Sequence, residues 1–501
     1  MSRPPLGTVA VVVLLAAGTA LGASVHRETV TATSSRQVEV VGATAVCPDL
    51  RQAKDLLATR VSVGAGLLPE GRVSAGGAIT AHRVTEKGTS VAIPVTKAGE
   101  VAVNLGTGTT KDGLAVSAHG DLAAGLEVEQ VTRGERGVNR GLAGLRCEAP
   151  KPDVWFEGGS TMLGNESTLV LANVDDTPTT INVTVFSSKK AFTPSEAQGL
   201  VIRPHTRLEV PLDQWVPDQD LLALHIQSTR GRIAAGLRHS IKTVTATEGV
   251  DWVPQTQPPA TKVVVPGFAE GPGLRVLYVT NPGIDDTTVE VKVTTQDGQF
   301  VPNGDDALSV PAGTTIGVSL SGIAFDKQTG TALAATVTSS GAPVIAGGLA
   351  KDYTSPSPVR EIAYTAGALP LSGPALVTDV VINRPTESTL VLSAPEGKAE
   401  VTVTPVPVLG QTGAKPKGPV TVKIPAGRTA VLKLSTFFKP GADAQLAVEV
   451  RPAAGSGPVY AARYLRERGA HGPLTTLLVL EGPAQLVSRP VVVSDPQVGT
   501  P

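Results

Sequence analysis

Aromatic residues are scarce in this chain of 501 residues: Trp, Tyr and Phe together make up 3%. That scarcity counts against nucleic acid as a ligand, which is commonly held by exposed rings beside a basic groove. An excess of one charge is missing as well. Forty-three Lys and Arg stand against 44 Asp and Glu, a formal net charge of −1, so no net field gathers a polyanion or an anionic surface. Cysteine is nearly absent, with only Cys47 and Cys147, neither in a CxxC nor near a His, so a thiolate metal site lacks ligands. No GxSxG occurs, and no GxxxxGK[ST] or GxGxxG precedes a helix, which removes the usual nucleophile elbow and phosphate cradles.

What the chain does have is Gly, Pro and short apolar runs. Fifty-four Gly and 40 Pro among many Val and Thr suit short strands and turns, since long helices tolerate neither residue so often. Hydrophobic content of 41% is enough for real cores, and the length suggests three to five domains.

The N-terminus bears on the compartment. Arg3 is followed by an uncharged stretch, Leu6 to Val25, apolar at its centre and closing with the small residues Ala20, Gly22, Ala23 and Ser24. This is the order of a secretory signal peptide, and the stretch is also about long enough to stay as a membrane anchor helix. Either way the expectation for residues 1–25 is export, so the rest is extracytoplasmic, secreted or anchored. In an oxidising compartment Cys47 and Cys147, 100 positions apart, are expected to pair, the alternative being two buried thiols. The chain-entropy model credits such a loop with about 4–5 kcal/mol at most.

The strongest internal signal is periodic. "LVLANVDDTPTTINVTVF" from Leu169, "LYVTNPGIDDTTVEVKV" from Leu277 and "LVLSAPEGKAEVTVTPV" from Leu390 resemble one another. Asn173 and Asn281 take the same place, with Ala394 in the third copy, and Pro204, Pro311 and Pro425 follow 31, 30 and 31 residues later. Each copy then reaches an expected hairpin, such as "LALHIQSTRGRIAAGL" (Leu222–Leu237), and "LAVSAHGDLAAGL" (Leu114–Leu126) is a degenerate fourth instance. Leu122, Ile233, Ile345 and Val459 mark the copies at spacings of 111, 112 and 114, a period that means a repeated whole domain.

Within a copy the alternation is period two, as for Ile181, Val183 and Val185 against Asn182 and Thr184. Roughly seven short strands per copy point to an all-β chain of about four tandem β-sandwich modules of immunoglobulin or fibronectin type. The expected bounds are 37–150, holding Cys47 and Cys147, then 151–255, 261–366 and 374–497. The terminal "LVSRPVVVSD" resembles "TKVVVPGF" and is expected to close the last sandwich. The Pro-rich link Gln255–Lys262 limits swing between modules.

The runs "DVWFEGGST…STLVLANVDDT", "GLVIRPHTRLEV" and "GVDWVPQTQPPATKVVVPGF", with "AVCPDL" soon after the leader, are similar to an actinobacterial group of exported proteins. That group is classed only as a domain of unknown function (5719). The resemblance implies an envelope protein, secreted or membrane-anchored, and supplies no substrate, cofactor or catalytic residue.

Candidate chemistry is thin. The His residues at 26, 82, 119, 205, 225, 239 and 471 are scattered. His225 and His239, on the two arms of the expected hairpin, would sit roughly 13 Å apart, too far to share a metal. Ser160 in "GGSTM" lacks an elbow. Asp175–Asp176 and Asp285–Asp286 occupy equivalent turns, where Asp bonds its own backbone, and calcium is the other reading. Trp155, Trp215 and Trp252 either pack in cores and module junctions or offer a glycan platform. The expectation is a non-enzymatic envelope scaffold or adhesion protein, with accessory polysaccharide binding as the alternative. It needs no cofactor or metal. Its partner is an unknown protein or a cell-wall glycan, not nucleic acid, and it meets membrane only through the N-terminal helix.

Overall fold

The computed structural model describes residues 36–489 apart from 51–56, 68–75, 86–89, 104–111, 138–139, 243–246, 269–272, 303–306, 321–332, 354–359, 384–385, 412–414, 440–443 and 483–485. The expected leader at 1–25 lies outside the described residues. Among the described residues the architecture is all-β, helical only in short 3-10 turns such as Ser195–Ala197, and no helix is long and apolar enough to cross a membrane.

The chain divides into two units. The described part of the smaller is an antiparallel pair, Arg36–Glu39 with Leu486–Arg489. Of the terminal run expected to close the last module, Leu486–Arg489 pairs with Arg36–Glu39, and residues 490–495 lie outside the described residues.

The larger unit, Val40–Gln485, uses one strand order four times. In the second repeat the seven main strands are Asp153–Glu157, Asn165–Asn173, Thr179–Ser187, Thr206–Pro211, Leu222–Arg230, Ala234–Lys242 and Thr247–Val253. One sheet has the order first, fifth, third; the other has fourth, second, sixth, seventh. The seventh strands of the first, third and fourth repeats are Gly141–Arg146, Arg360–Ala366 and Gly472–Leu480, each again at a sheet edge.

The fifth and sixth strands are not the expected hairpin. Leu222–Arg230 pairs with the first and third strands, whereas Ala234–Lys242 pairs with the second and seventh. The chain crosses between sheets at Gly231, whose φ of 79° lies in the region that favours glycine. Leu222, Leu224 and Ile226 then face Ala235 and Leu237 across one core. Alternation fixes which face points inward but not which strand lies alongside. The repeat marks shift for the same reason. Ile233 bridges Lys151 and Val344 bridges Ala260, so Val344, not Ile345, is the equivalent of Ile233. Leu122 caps the turn ahead of the sixth strand of its repeat rather than opening it.

Each sheet pair encloses its own apolar cluster. Thr287–Thr294 alternates buried and exposed residues because its outer face meets solvent. Asn165–Asn173 is buried along most of its length, because another repeat covers its outer face. At the end of the second strand, Asn173 Nδ2 donates to the carbonyls of Thr177 (2.8 Å) and Ile202 (3.1 Å). Asn281 repeats this with Asp285 (2.8 Å) and Val310 (3.1 Å). The Asn shared by the two copies is a buried clamp between a turn and the strand beside it.

The first sheet of each repeat packs on the second sheet of the next. Val46 and Ala115 meet Ala172 and Ala234 at one seam, and Trp155, Phe186 and Ala223 meet Ile345 at the second. Val264 and Ala334 meet Tyr460 and Val479 at the third. Leu376, Val406 and Ala447 of the fourth repeat then meet Val101 of the first, so the series closes into a ring. The seventh strands are its inner wall, each packed beside the next in the order first, second, third, fourth and back to first.

Candidate functional site

The inner wall is where side chains from all four repeats converge. Asp251, on the seventh strand of the second repeat, is fully buried. Its Oδ1 accepts from the Gly144 amide (3.2 Å) of the first repeat and the Thr476 hydroxyl (2.9 Å) of the fourth. Its Oδ2 accepts from the Tyr364 amide (2.9 Å) of the third. One carboxylate thus ties the other three repeats together. Burial pushes its pKa well above the usual carboxylate range, against the pull of these hydrogen bonds.

Further charges flank it. Arg140 pairs with Glu361 and donates through Nη2 to the Pro473 carbonyl (2.9 Å), linking the first, third and fourth repeats. Burial again outweighs the arginine and raises the Glu361 carboxyl. Glu248 of the second repeat holds Lys351 and Arg360 of the third. At the seam closing the ring, Arg463 is fully buried and donates to Ser388 Oγ (3.0 Å), to Glu129 Oε2 (3.1 Å) and to the Asp379 carbonyl. Arg60 donates to Asp379 Oδ2 (2.9 Å) at the same seam. Each of these groups is engaged by another repeat, so their chemistry is that of assembly.

A buried Ser–His pair lies close by. Ser167 Oγ stands 2.8 Å from His239 Nδ1. Ser167 Oγ also accepts from the Ser160 amide (3.0 Å) and lies within donating distance of the Ser160 carbonyl (2.9 Å), so its one hydrogen has two acceptors in reach and the direction of the contact follows the imidazole tautomer. Burial, with Lys351 and Arg238 next, drives the His239 pKa down to about 3.

The residues singled out from sequence fall as follows. Cys47 and Cys147 form a disulfide with Cα atoms 4.7 Å apart, joining the first strand of the first repeat to the end of its seventh. Trp155 is buried at the seam between the second and third repeats and stacks on His225 at 3.7 Å. His225 Nε2 lies 3.0 Å from Asp153 Oδ2. Trp252 is buried against Ala143, Leu145 and Val170, between the first and second repeats. Trp215 is half-buried against the second core. His225 and His239 occupy different sheets, not the two arms of one hairpin.

The side chains of three of these aspartates bond groups outside their own turns, not the local backbone as expected. Asp175 forks with Arg232 (2.8 and 2.9 Å), Asp176 meets His205 (2.9 Å), and Asp286 accepts from the Ala312 amide (2.9 Å). Among the described residues no group of three His, Cys, Asp or Glu is placed to hold a metal. Sequence reasoning missed Asp251, Glu361, Arg140 and Arg463. The one signal was a charged residue inside an otherwise apolar strand, as in "GVDWV" and "YAARYL".

Residues 102–435 match the model of a family described as a family of unknown function (DUF5719). No curated protein matches the chain.

Proposed function

Because the chain belongs to this family of unknown function, whose description carries no activity, we propose a role from its architecture: a non-enzymatic extracytoplasmic scaffold or interaction protein of the cell envelope. Its four sheet pairs are read as tandem β-sandwich modules of immunoglobulin or fibronectin type, near 40–150, 151–255, 261–366 and 374–485. The observation that carries the reading is the closed ring. The titratable groups that converge at its centre, Asp251 above all, have their oxygens committed to other repeats. A rigid body of this kind presents loops and sheet edges outward, the parts through which such modules engage partners. The Cys47–Cys147 disulfide supports an oxidising compartment.

The test is surface labelling of intact cells with a membrane-impermeant amine reagent, followed by non-reducing digestion and chemical cross-linking in place. The reading expects labelling without lysis, a Cys47–Cys147 cross-linked peptide and a reproducible envelope partner. Labelling only after lysis, with both thiols free, would refute it.

A further inference from the structure

A cleft of about 410 Å³ opens beside the hairpin of the sixth and seventh strands in the fourth repeat, with Thr386, Glu387, Arg466, Glu467 and Arg468 in its lining. Arg466 and Arg468 are two apart on the strand Tyr460–Gly469, so their side chains leave the same face, and both are exposed. Register sets Glu387 directly opposite Arg466, yet Glu387 Oε1 pairs with Lys433 Nζ at 2.8 Å, on its other side. Glu467, on the opposite face of the same strand, is held by Arg60 (3.5 Å) and Arg133 (2.9 Å). Arg140, nearby through the Pro473 carbonyl, is committed to Glu361. The arginines around the cleft thus have partners, while Arg466 and Arg468 have no ion pair among the described residues.

We propose that this cleft binds the phosphate monoester of a sugar-sized ligand through Arg466 and Arg468. A guanidinium presents a planar fork of donors that matches an oxyanion, and two on one face can share its oxygens. The volume lies within the range of about 300–1,000 Å³ usual for small-molecule sites, so it takes a hexose as well as the phosphate. Among the described residues no aromatic ring lines the cleft, so the stacking surface a nucleobase uses is missing from its described lining. The proposal goes beyond the scaffold reading and does not depend on it.

The experiment is calorimetric titration of the purified full chain at fixed ionic strength with glucose 1-phosphate, inorganic phosphate and glucose. Saturable binding of glucose 1-phosphate is expected, tighter than inorganic phosphate, with glucose silent. Loss of one charge-assisted contact weakens binding about tenfold, so R466Q/R468Q is expected to weaken it by that or more with an unchanged melting temperature. Arg466→Lys, which keeps the charge and loses the fork, falls between them. Absence of saturable binding at millimolar ligand overturns the site. So does an equal loss in Lys423→Gln, a charge removed elsewhere on the same repeat, because the effect is then a diffuse field. Equal affinity for inorganic phosphate overturns the sugar-sized ligand. None of these results touches the surface-labelling test, so the two readings fail separately.

Discussion

Asp251 satisfies three donors from three repeats, and its replacement shows what a single buried acceptor contributes. Asp251→Ala leaves the amides of Gly144 and Tyr364 and the hydroxyl of Thr476 without their acceptor. Each orphaned donor costs about 1–3 kcal/mol, and Thr476 can turn its hydroxyl elsewhere, so the expected loss is about 3–5 kcal/mol in urea unfolding. A loss under about 1 kcal/mol would mean that the four seventh strands hold together without it. His239 tests the opposite kind of group. Its folded pKa is lowered to about 3 by burial, below the unfolded value of about 6.5. Its contribution is therefore fully present above pH 6.5 and fades as pH falls towards 3. By linkage the wild type is expected to lose on the order of 4 kcal/mol more than His239→Gln between pH 7 and pH 3. Parallel stability curves for the two proteins would show that His239 becomes charged in place.

Between the elements, the spacing of the sheets depends on small residues at the seams. A Cβ on Gly347 would come 2.7 Å from the Glu157 carbonyl oxygen, and one on Gly64 would come 2.5 Å from Leu376 Cδ2. The first meets backbone and the second a flexible side chain, so they differ in how far the neighbour can yield. Gly347→Ala is expected to cost about 1–3 kcal/mol by overpacking. Gly418→Ala, with nothing within 4 Å, should be neutral or stabilise slightly. Equal melting temperatures for the two variants would contradict the tight seam. This scale also marks how far the sequence could be read. The inward faces of strands such as Thr287–Thr294 were legible in their alternation, and Asn173 and Asn281 stood out because one turn recurs. The first and second sheets were not separable, because a strand that turns back and one that crosses over carry the same alternation. Asp251 and Arg463 were invisible as a site because Tyr364 and Glu129, which they hold in other repeats, lie 113 and 334 positions away.

For the whole molecule, the four seams are not equal. Short chain segments join the first repeat to the second, the second to the third and the third to the fourth, whereas the fourth meets the first only by contact. That seam combines the apolar patch of Leu376, Val406 and Val101 with the Ser62–Thr378 hydroxyl pair at 2.6 Å and the buried Arg463–Glu129 bond. Burial raises the Glu129 carboxyl even against Arg463, so the charge is tolerated there only with its partner in place. Arg463→Ala should then cost about 3–5 kcal/mol, because it leaves Glu129 buried and uncompensated. Arg463→Met combined with Glu129→Gln should recover much of that, since an apolar or neutral pair avoids the desolvation penalty. Amide exchange locates the effect. In Arg463→Ala, faster exchange is expected in Leu57–Ala65 and Ala375–Ile382, which flank the seam, while Asn165–Asn173 and Gly273–Asn281 stay protected. That pattern would mean the ring opens at its one non-covalent join, with the linked repeats intact. Faster exchange spread evenly over all four repeats would mean instead that closure makes the ring a single cooperative unit, in which no seam opens alone.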